Sequence, residues 1–178
     1  MLFPGHAAAG YLVGVGIVAL TASHPDSTSM FLWIGAVCGA MPDIDMFAAF
    51  ARTRSLVIEN EKQSHRAYIT HTPLFWAVMA FFMFLASRNA LFALIVLLAP
   101  LSHLFLDSLE DEIQWLGPWS KKGYRIFKSR KDLAVPRHDF FSFWGKFLFW
   151  YWTNRRLTAA LEIALIVSAL LTGFLAIR

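Results

Sequence analysis

The sequence predicts an all-α integral membrane protein, a helical bundle of about five transmembrane helices with one aromatic interfacial helix. Of the 178 residues, 57% are hydrophobic and only 16% are charged, whereas soluble domains carry about 25% charged residues. The mean hydropathy is +0.52. This composition excludes a disordered chain and argues against a soluble globule. The single cysteine, Cys38, excludes a disulfide framework and a cysteine-based zinc ribbon.

Five apolar runs approach the roughly 20 residues that a bilayer span needs. They cover residues 6–22, 30–51, 73–86, 90–106 and 157–177. The first has no Lys or Arg before it, so we expect a retained helix rather than a cleaved signal peptide. Prolines lie inside the second and the fourth runs, at Pro42 and Pro100. We expect the helix to break at the first proline and to kink at the second.

Residues 140–152 read FFSFWGKFLFWYW, and these 13 residues are short for a span. Because Trp and Tyr favour the membrane–water interface, they predict an interfacial helix. The alternative is a long helix that pairs with the fifth span as a hairpin. We expect one membrane-embedded domain over residues 1–178. Within it, a core (1–120) precedes a basic and aromatic cytoplasmic segment (121–156) and the last transmembrane helix (157–177).

The distribution of basic residues gives an orientation. With five spans, 14 of the 16 Lys and Arg residues fall on one side, and only Arg88 and Arg178 fall on the other. By the positive-inside rule, the N-terminus is cytoplasmic and the C-terminus lies outside. Topology and anionic lipid headgroups therefore explain the net charge of +4, and no nucleic-acid partner is expected.

Ionisable side chains within or beside the predicted spans are costly and are usually functional. In this topology they all fall in the cytoplasmic half of the membrane. The set comprises His6, Asp43, Asp45, His65, His71, His103 and Asp107. Imidazole and carboxylate groups are typical ligands of Zn²⁺ and other divalent ions, so the sequence predicts a metal site at this end of the bundle.

The local spacings agree with such a site. His103 and Asp107 are four residues apart and share a helix face. A helix break at Pro42 would let both nearby aspartates turn to one pocket. His71 precedes a predicted helix start with Thr72 as N-cap. Taken singly, these features leave other interpretations open, namely a satisfied interfacial histidine at position 6, an interhelical hydrogen bond at 103–107, and a proton relay at 43–45.

The ordered set H6, P42-D43-I44-D45, H65-R66-x4-H71-T72-P73 and H103-x3-D107-S108 resembles the YdjM-like family of membrane-bound, metal-dependent hydrolases. The resemblance covers residues 1–120 and implies an inner-membrane enzyme. That family is in turn similar to the zinc-dependent phospholipase C and P1 nuclease group. The likeness implies His6, Asp43, His65, His71, His103 and Asp107 as ligands. The later H-x3-E pair of the soluble relatives is absent, which favours one or two ions over three.

The leading hypothesis is a membrane-bound metal-dependent hydrolase, a phosphoesterase that acts on a lipid or a lipid-linked phosphate through metal-activated water. Zn²⁺ is favoured, with Mn²⁺ or Mg²⁺ as alternatives. Asp45 would serve as a base or bridging ligand, and Arg66 would stabilise charge on the phosphoryl oxygens. The rival hypotheses are a proton-coupled transporter that uses intramembrane Asp and His, and a membrane scaffold stabilised by metal.

Overall fold

A computed structural model of the chain describes residues 1–21, 25–53, 68–127 and 140–176, and these ranges are mostly helical. Short 3₁₀ segments at Met41–Ile44 and Ile69–His71 precede α3 and α4. The α-helices are α1 (Phe3–Thr21), α2 (Pro25–Ala40), α3 (Asp45–Thr53), α4 (Pro73–Ser87), α5 (Ala90–Asp107), α6 (Phe140–Asn154) and α7 (Arg156–Ala176). Within the described ranges there is no β-strand, only an isolated antiparallel bridge between Ile113 and Tyr124.

Four described helical stretches are long and apolar enough to cross a bilayer. They are Phe3–Thr21, Ser29–Ala48, Ala90–Asp107 and Arg156–Phe174. Pro73–Ser87, the helix on the third predicted span, is apolar but has only 15 residues. At 1.5 Å per residue it is about 22 Å long, against about 30 Å of hydrocarbon. The predicted helical membrane bundle is confirmed, with four spans of full length and one shorter apolar helix.

The helix boundaries follow the proline signals. The second span changes from α-helix to a 3₁₀ turn at Met41–Ile44, around Pro42, and then continues as α3. Helix α4 begins at Pro73, as predicted. Thr72 occupies its N-cap position, but its side chain does not cap the helix, because the hydroxyl donates to the Ile69 carbonyl at 2.7 Å instead. Pro100 lies inside α5, where it is buried.

Helices α1 and α2 approach so closely that their backbones touch. A Cβ atom added to Gly39 would lie 2.8 Å from the Gly10 Cα, a distance that real Cβ atoms do not reach. The glycines therefore permit a backbone contact that a larger residue would prevent. Helix α5 packs against α1, α2 and α4, and α7 packs against α1.

This packing gathers four points of the chain at one end of the bundle. They are the start of α1, the 3₁₀ turn after α2, the 3₁₀ turn before α4 and the last turns of α5, as the contacts described below establish. The aromatic segment forms helix α6, which ends one residue before α7 and contacts it. Its position at the membrane interface stays a prediction, as do the orientation of the chain and the division of the domain.

Candidate metal centre

Two carboxylates and two imidazoles meet at this end of the bundle. Each contributes one donor atom, and the four atoms all lie within 4.8 Å of one another. The residues are Asp43, His71, His103 and Asp107. Three of these side chains are fully buried, and Asp43 retains 14% of its exposure. Among the four side chains, only Asp43 is thus accessible from the protein surface.

The spacing of the donors fits a small divalent cation. The His103 Nε2 atom lies 3.5 Å from Asp43 Oδ1 and 3.8 Å from Asp107 Oδ2. The His71 Nε2 atom lies 3.9 Å from Asp43 Oδ1 and 4.0 Å from Asp107 Oδ2. Metal–ligand bonds of about 2.0–2.2 Å place tetrahedral neighbours about 3.3–3.6 Å apart. These four distances exceed that spacing by at most about half an ångström, and every pair in the group lies within 4.8 Å.

Both imidazoles are held through their other ring nitrogen. The Nδ1 atom of His71 donates to Asp45 Oδ2 at 2.8 Å, and that of His103 donates to the Gly39 carbonyl at 2.8 Å. A neutral imidazole that donates from Nδ1 carries its lone pair on Nε2. Both Nε2 atoms therefore present lone pairs to the group of four donors, an arrangement typical of metal-binding histidines.

The backbone geometry explains why these residues meet. The 3₁₀ turn at Met41–Ile44 puts Asp43 just beyond the end of α2, and the turn at Ile69–His71 puts His71 just before the start of α4. The Thr70 hydroxyl also donates to Asp45 Oδ2, which links the two turns directly. The remaining two donors, His103 and Asp107, come from successive turns of α5, as their spacing predicts.

The whole chain matches a protein-family model. The model for the YdjM inner membrane protein family covers residues 1–178. The chain belongs to the YdjM inner membrane protein family. Neither a search of the curated proteins nor a search of the solved structures found a match. Membership supports a place in a membrane, in agreement with the apolar helices, and the family's description names no reaction.

In this YdjM-family chain, His6 and Asp45 lie beside the four donors. The His6 ring stacks on the His103 ring with centroids 3.6 Å apart, and its Nε2 atom lies 3.1 Å from Asp107 Oδ1. Asp45 faces the Nδ1 side of His71, and its Oδ1 atom is buried without a hydrogen-bond partner in the described ranges. Their roles as ligands stay predictions, and so does the role of Asp45 as base. His65 and Arg66 lie outside the described residues.

Sequence reasoning missed a further buried acid, Glu162 of α7. Its carboxylate accepts hydrogen bonds from the Tyr151 hydroxyl at 2.7 Å and from the backbone N–H groups of Leu2 and Gly5 at 3.4 and 3.3 Å. Glu162 thus binds the N-terminal end of α1, where backbone N–H groups and the helix dipole favour an anion. Burial and the bond to the carboxylate raise the pKa of the Tyr151 phenol.

Proposed function

We propose that this protein is a membrane-bound metal-dependent hydrolase, a phosphoesterase that acts on a lipid or a lipid-linked phosphate. The observation that carries the proposal is the buried set of two carboxylate and two imidazole donors, with both imidazoles oriented through Nδ1. The buried Asp107 carboxylate already contacts the N-terminal ammonium group at 3.2 Å. A divalent cation would balance the carboxylate charge that remains in the group. The His103 Nε2 atom is also buried without a hydrogen-bond partner among the described residues, as expected of a ligand atom.

The residues divide into ligands and orienting groups. Asp43, His71, His103 and Asp107 would hold the ion. When bound there, a divalent cation supplies Lewis acidity toward a phosphoryl oxygen and a nucleophile derived from water at neutral pH. Asp45 fixes the ring of His71 through Nδ1, and in the role of base it would act through this imidazole.

An amphiphilic substrate is favoured by the surroundings of Asp43, the donor that is partly exposed. Its neighbour along the chain, Ile44, is exposed, and so are Phe47 on α3 and Ile69 in the turn before His71. These apolar side chains stand on the two segments that supply the accessible side of the donor group. A phosphate ester with an acyl or prenyl tail would bind such surroundings better than a fully soluble ester would.

The first test combines metal content with activity on detergent-purified protein. Wild type is expected to carry one or two equivalents of a transition metal and to release phosphate from a long-chain lipid phosphate. The His103→Ala, Asp107→Ala double variant should lose both. Asp43→Asn, which alters the exposed ligand, is the second variant in case the double variant does not fold. Glu112→Gln removes an exposed acid elsewhere and should change neither readout.

Two results would contradict the proposal. One is metal-free wild type after divalent ions are supplied during purification, and the other is full activity in both ligand variants. Metal without activity on any phosphate ester would support the second candidate, a membrane scaffold with a structural ion. That candidate has one observation in its favour, since four protein donors are enough to close a tetrahedral site.

A further inference from the structure

The chain that follows α5 folds back on the C-terminal end of that helix. The backbone N–H groups of Ile126 and Phe127 donate to the carbonyls of Ser108 and Leu109, both at 2.8 Å. The bridge between Ile113 and Tyr124 closes the same loop with hydrogen bonds of 3.1 and 2.9 Å. We call residues 108–127 the return loop. Because its last residues lie beside the residues that follow Asp107, both ends of the loop are level with one end of a membrane span.

The inner face of the return loop belongs to the protein core. Ile113 is fully buried and packs with Trp76 of α4 and Leu104 of α5. The Trp115 indole N–H donates to the Ser108 hydroxyl at 2.7 Å. The loop also lies close to the turn before α4, since a Cβ added to Gly117 would fall 2.7 Å from the Thr72 methyl group. These contacts fix which side chains of the loop face outward.

The outer face combines large apolar side chains with cations. Trp119 is 79% exposed, and three further apolar side chains, at Leu116, Ile126 and Phe127, are between 45% and 55% exposed. Lys121 and Lys122 are exposed too, and neither makes an ion pair with any residue that the structure describes. An exposed apolar group of this size is unusual on a surface that faces only water.

We propose that the outer face of the return loop lies in the membrane–water interface and binds anionic phospholipid. The apolar side chains of Leu116, Trp119, Ile126 and Phe127 would enter the boundary between headgroups and acyl chains, where indole rings are stable. Lys121 and Lys122 would contact lipid phosphate groups, to which their charge is complementary. The bilayer is the occupant that the position favours, because the loop is continuous with a span and held level with its end.

The depth of the loop is tested on the full chain in lipid nanodiscs. A nitroxide label is placed at Trp119→Cys in a Cys38→Ser background, and its accessibility to oxygen and to a water-soluble nickel chelate is measured. We expect oxygen to reach the label and the chelate to be excluded at least several-fold relative to a label in water. Leu170→Cys, on an exposed position of α7 within a span, gives the reference for a lipid-facing site.

The lipid preference is tested with the Lys121→Gln, Lys122→Gln double variant. Wild type in mixed phosphatidylglycerol and phosphatidylcholine should retain the anionic lipid preferentially through detergent purification, and the double variant should lose most of that enrichment. Arg88→Gln, which removes a cation at the turn between α4 and α5, is the matched control and should keep it. Unchanged enrichment in the double variant would overturn lipid-phosphate binding by these lysines.

Two label results would overturn the interfacial position. Free access of the nickel chelate to position 119 would place the loop in water. Exclusion of both oxygen and the chelate would mean that protein covers this face instead of lipid. Both readouts are independent of catalysis, so they remain informative if no phosphoesterase activity is found.

Discussion

The substitution Asp45→Asn separates two roles that the sequence alone could not distinguish. In the structure, the Asp45 carboxylate accepts from His71 Nδ1 at 2.8 Å and from the Thr70 hydroxyl, and it is almost fully buried. It lies at Nδ1 of the His71 ring, whereas the Nε2 atom of that ring faces Asp43 and Asp107. If Asp45 orients a ligand and is not one itself, its loss should weaken metal binding while leaving the stoichiometry unchanged.

The size of the effect follows from this geometry. Partners that orient a metal-binding histidine change metal affinity by about 10- to 100-fold when they are mutated. At about 1.4 kcal/mol per tenfold change, this corresponds to about 1.4–2.8 kcal/mol. Asparagine keeps the shape of the side chain but removes the charge, so the weakening should fall within this range. His71→Ala removes a donor atom and should abolish stoichiometric binding under the same conditions.

The assay is a competition titration of Zn²⁺ between a chromogenic chelator and the full chain in detergent. Asp111→Asn is the matched control, since Asp111 pairs with Arg155 and is not one of the metal donors. A loss of stoichiometry in Asp45→Asn as complete as that in His71→Ala would show Asp45 to be a ligand and would refute the orienting role. An affinity within threefold of wild type would refute any role for Asp45 at the site.

Three further predictions concern stability. Gly39→Ala should destabilise the protein by about 1–3 kcal/mol, because the new Cβ would collide with the Gly10 backbone, and a lower unfolding temperature in detergent would show it. Glu162→Gln should lower the free energy of unfolding by about 1–3 kcal/mol, because it weakens the hydrogen bonds to a buried carboxylate. Tyr151→Phe removes one of these bonds and should lower it by less in the same measurement. Chelator treatment should lower the unfolding temperature and Zn²⁺ should restore it, since an ion at 100 times its Kd adds about 2.7 kcal/mol to the free energy of unfolding. An unfolding curve that the chelator leaves unchanged would contradict a bound ion.

The helices were predictable because the bilayer sets their length and composition. The apolar runs predicted α1, α5 and α7, and the proline rule predicted the helix break at Pro42 and the start of α4. The third apolar run, residues 73–86, matches α4 to within one residue, but the left-handed conformation of Arg88 at its end was not predicted. Turn conformations such as this one depend on local contacts that hydropathy does not encode.

The donor group was partly predictable for a topological reason. Spans of alternating direction bring alternate loops to the same side, so polar residues at those span ends approach one another without knowledge of the packing. This places Asp43 and His71 near the last turns of α5, whose i,i+4 pair was visible in the sequence. The direction of Asp45 toward the outer nitrogen of His71 was not predictable, because it depends on how two 3₁₀ turns meet.

Glu162 carries a sequence signal for a buried polar group, although it was not among the predicted site residues. A lone carboxylate in the apolar run 157–177 meets the same criterion that selected Asp43, and the structure buries it against the start of α1. What the sequence could not supply was its partner, because the backbone N–H groups of a helix start leave no mark in the side-chain pattern. Glu162 connects α7 to the helix that carries His6.

The choice between a catalytic and a structural ion depends on which donor can make room for a substrate. Three donors, His71, His103 and Asp107, are fully buried. Asp43 differs, because it lies in a 3₁₀ turn, retains exposure and stands next to exposed apolar residues. A structural site has no need for an accessible side, whereas a catalytic site must admit substrate there. The asymmetry of burial, with access at one donor only, therefore favours the hydrolase over the scaffold.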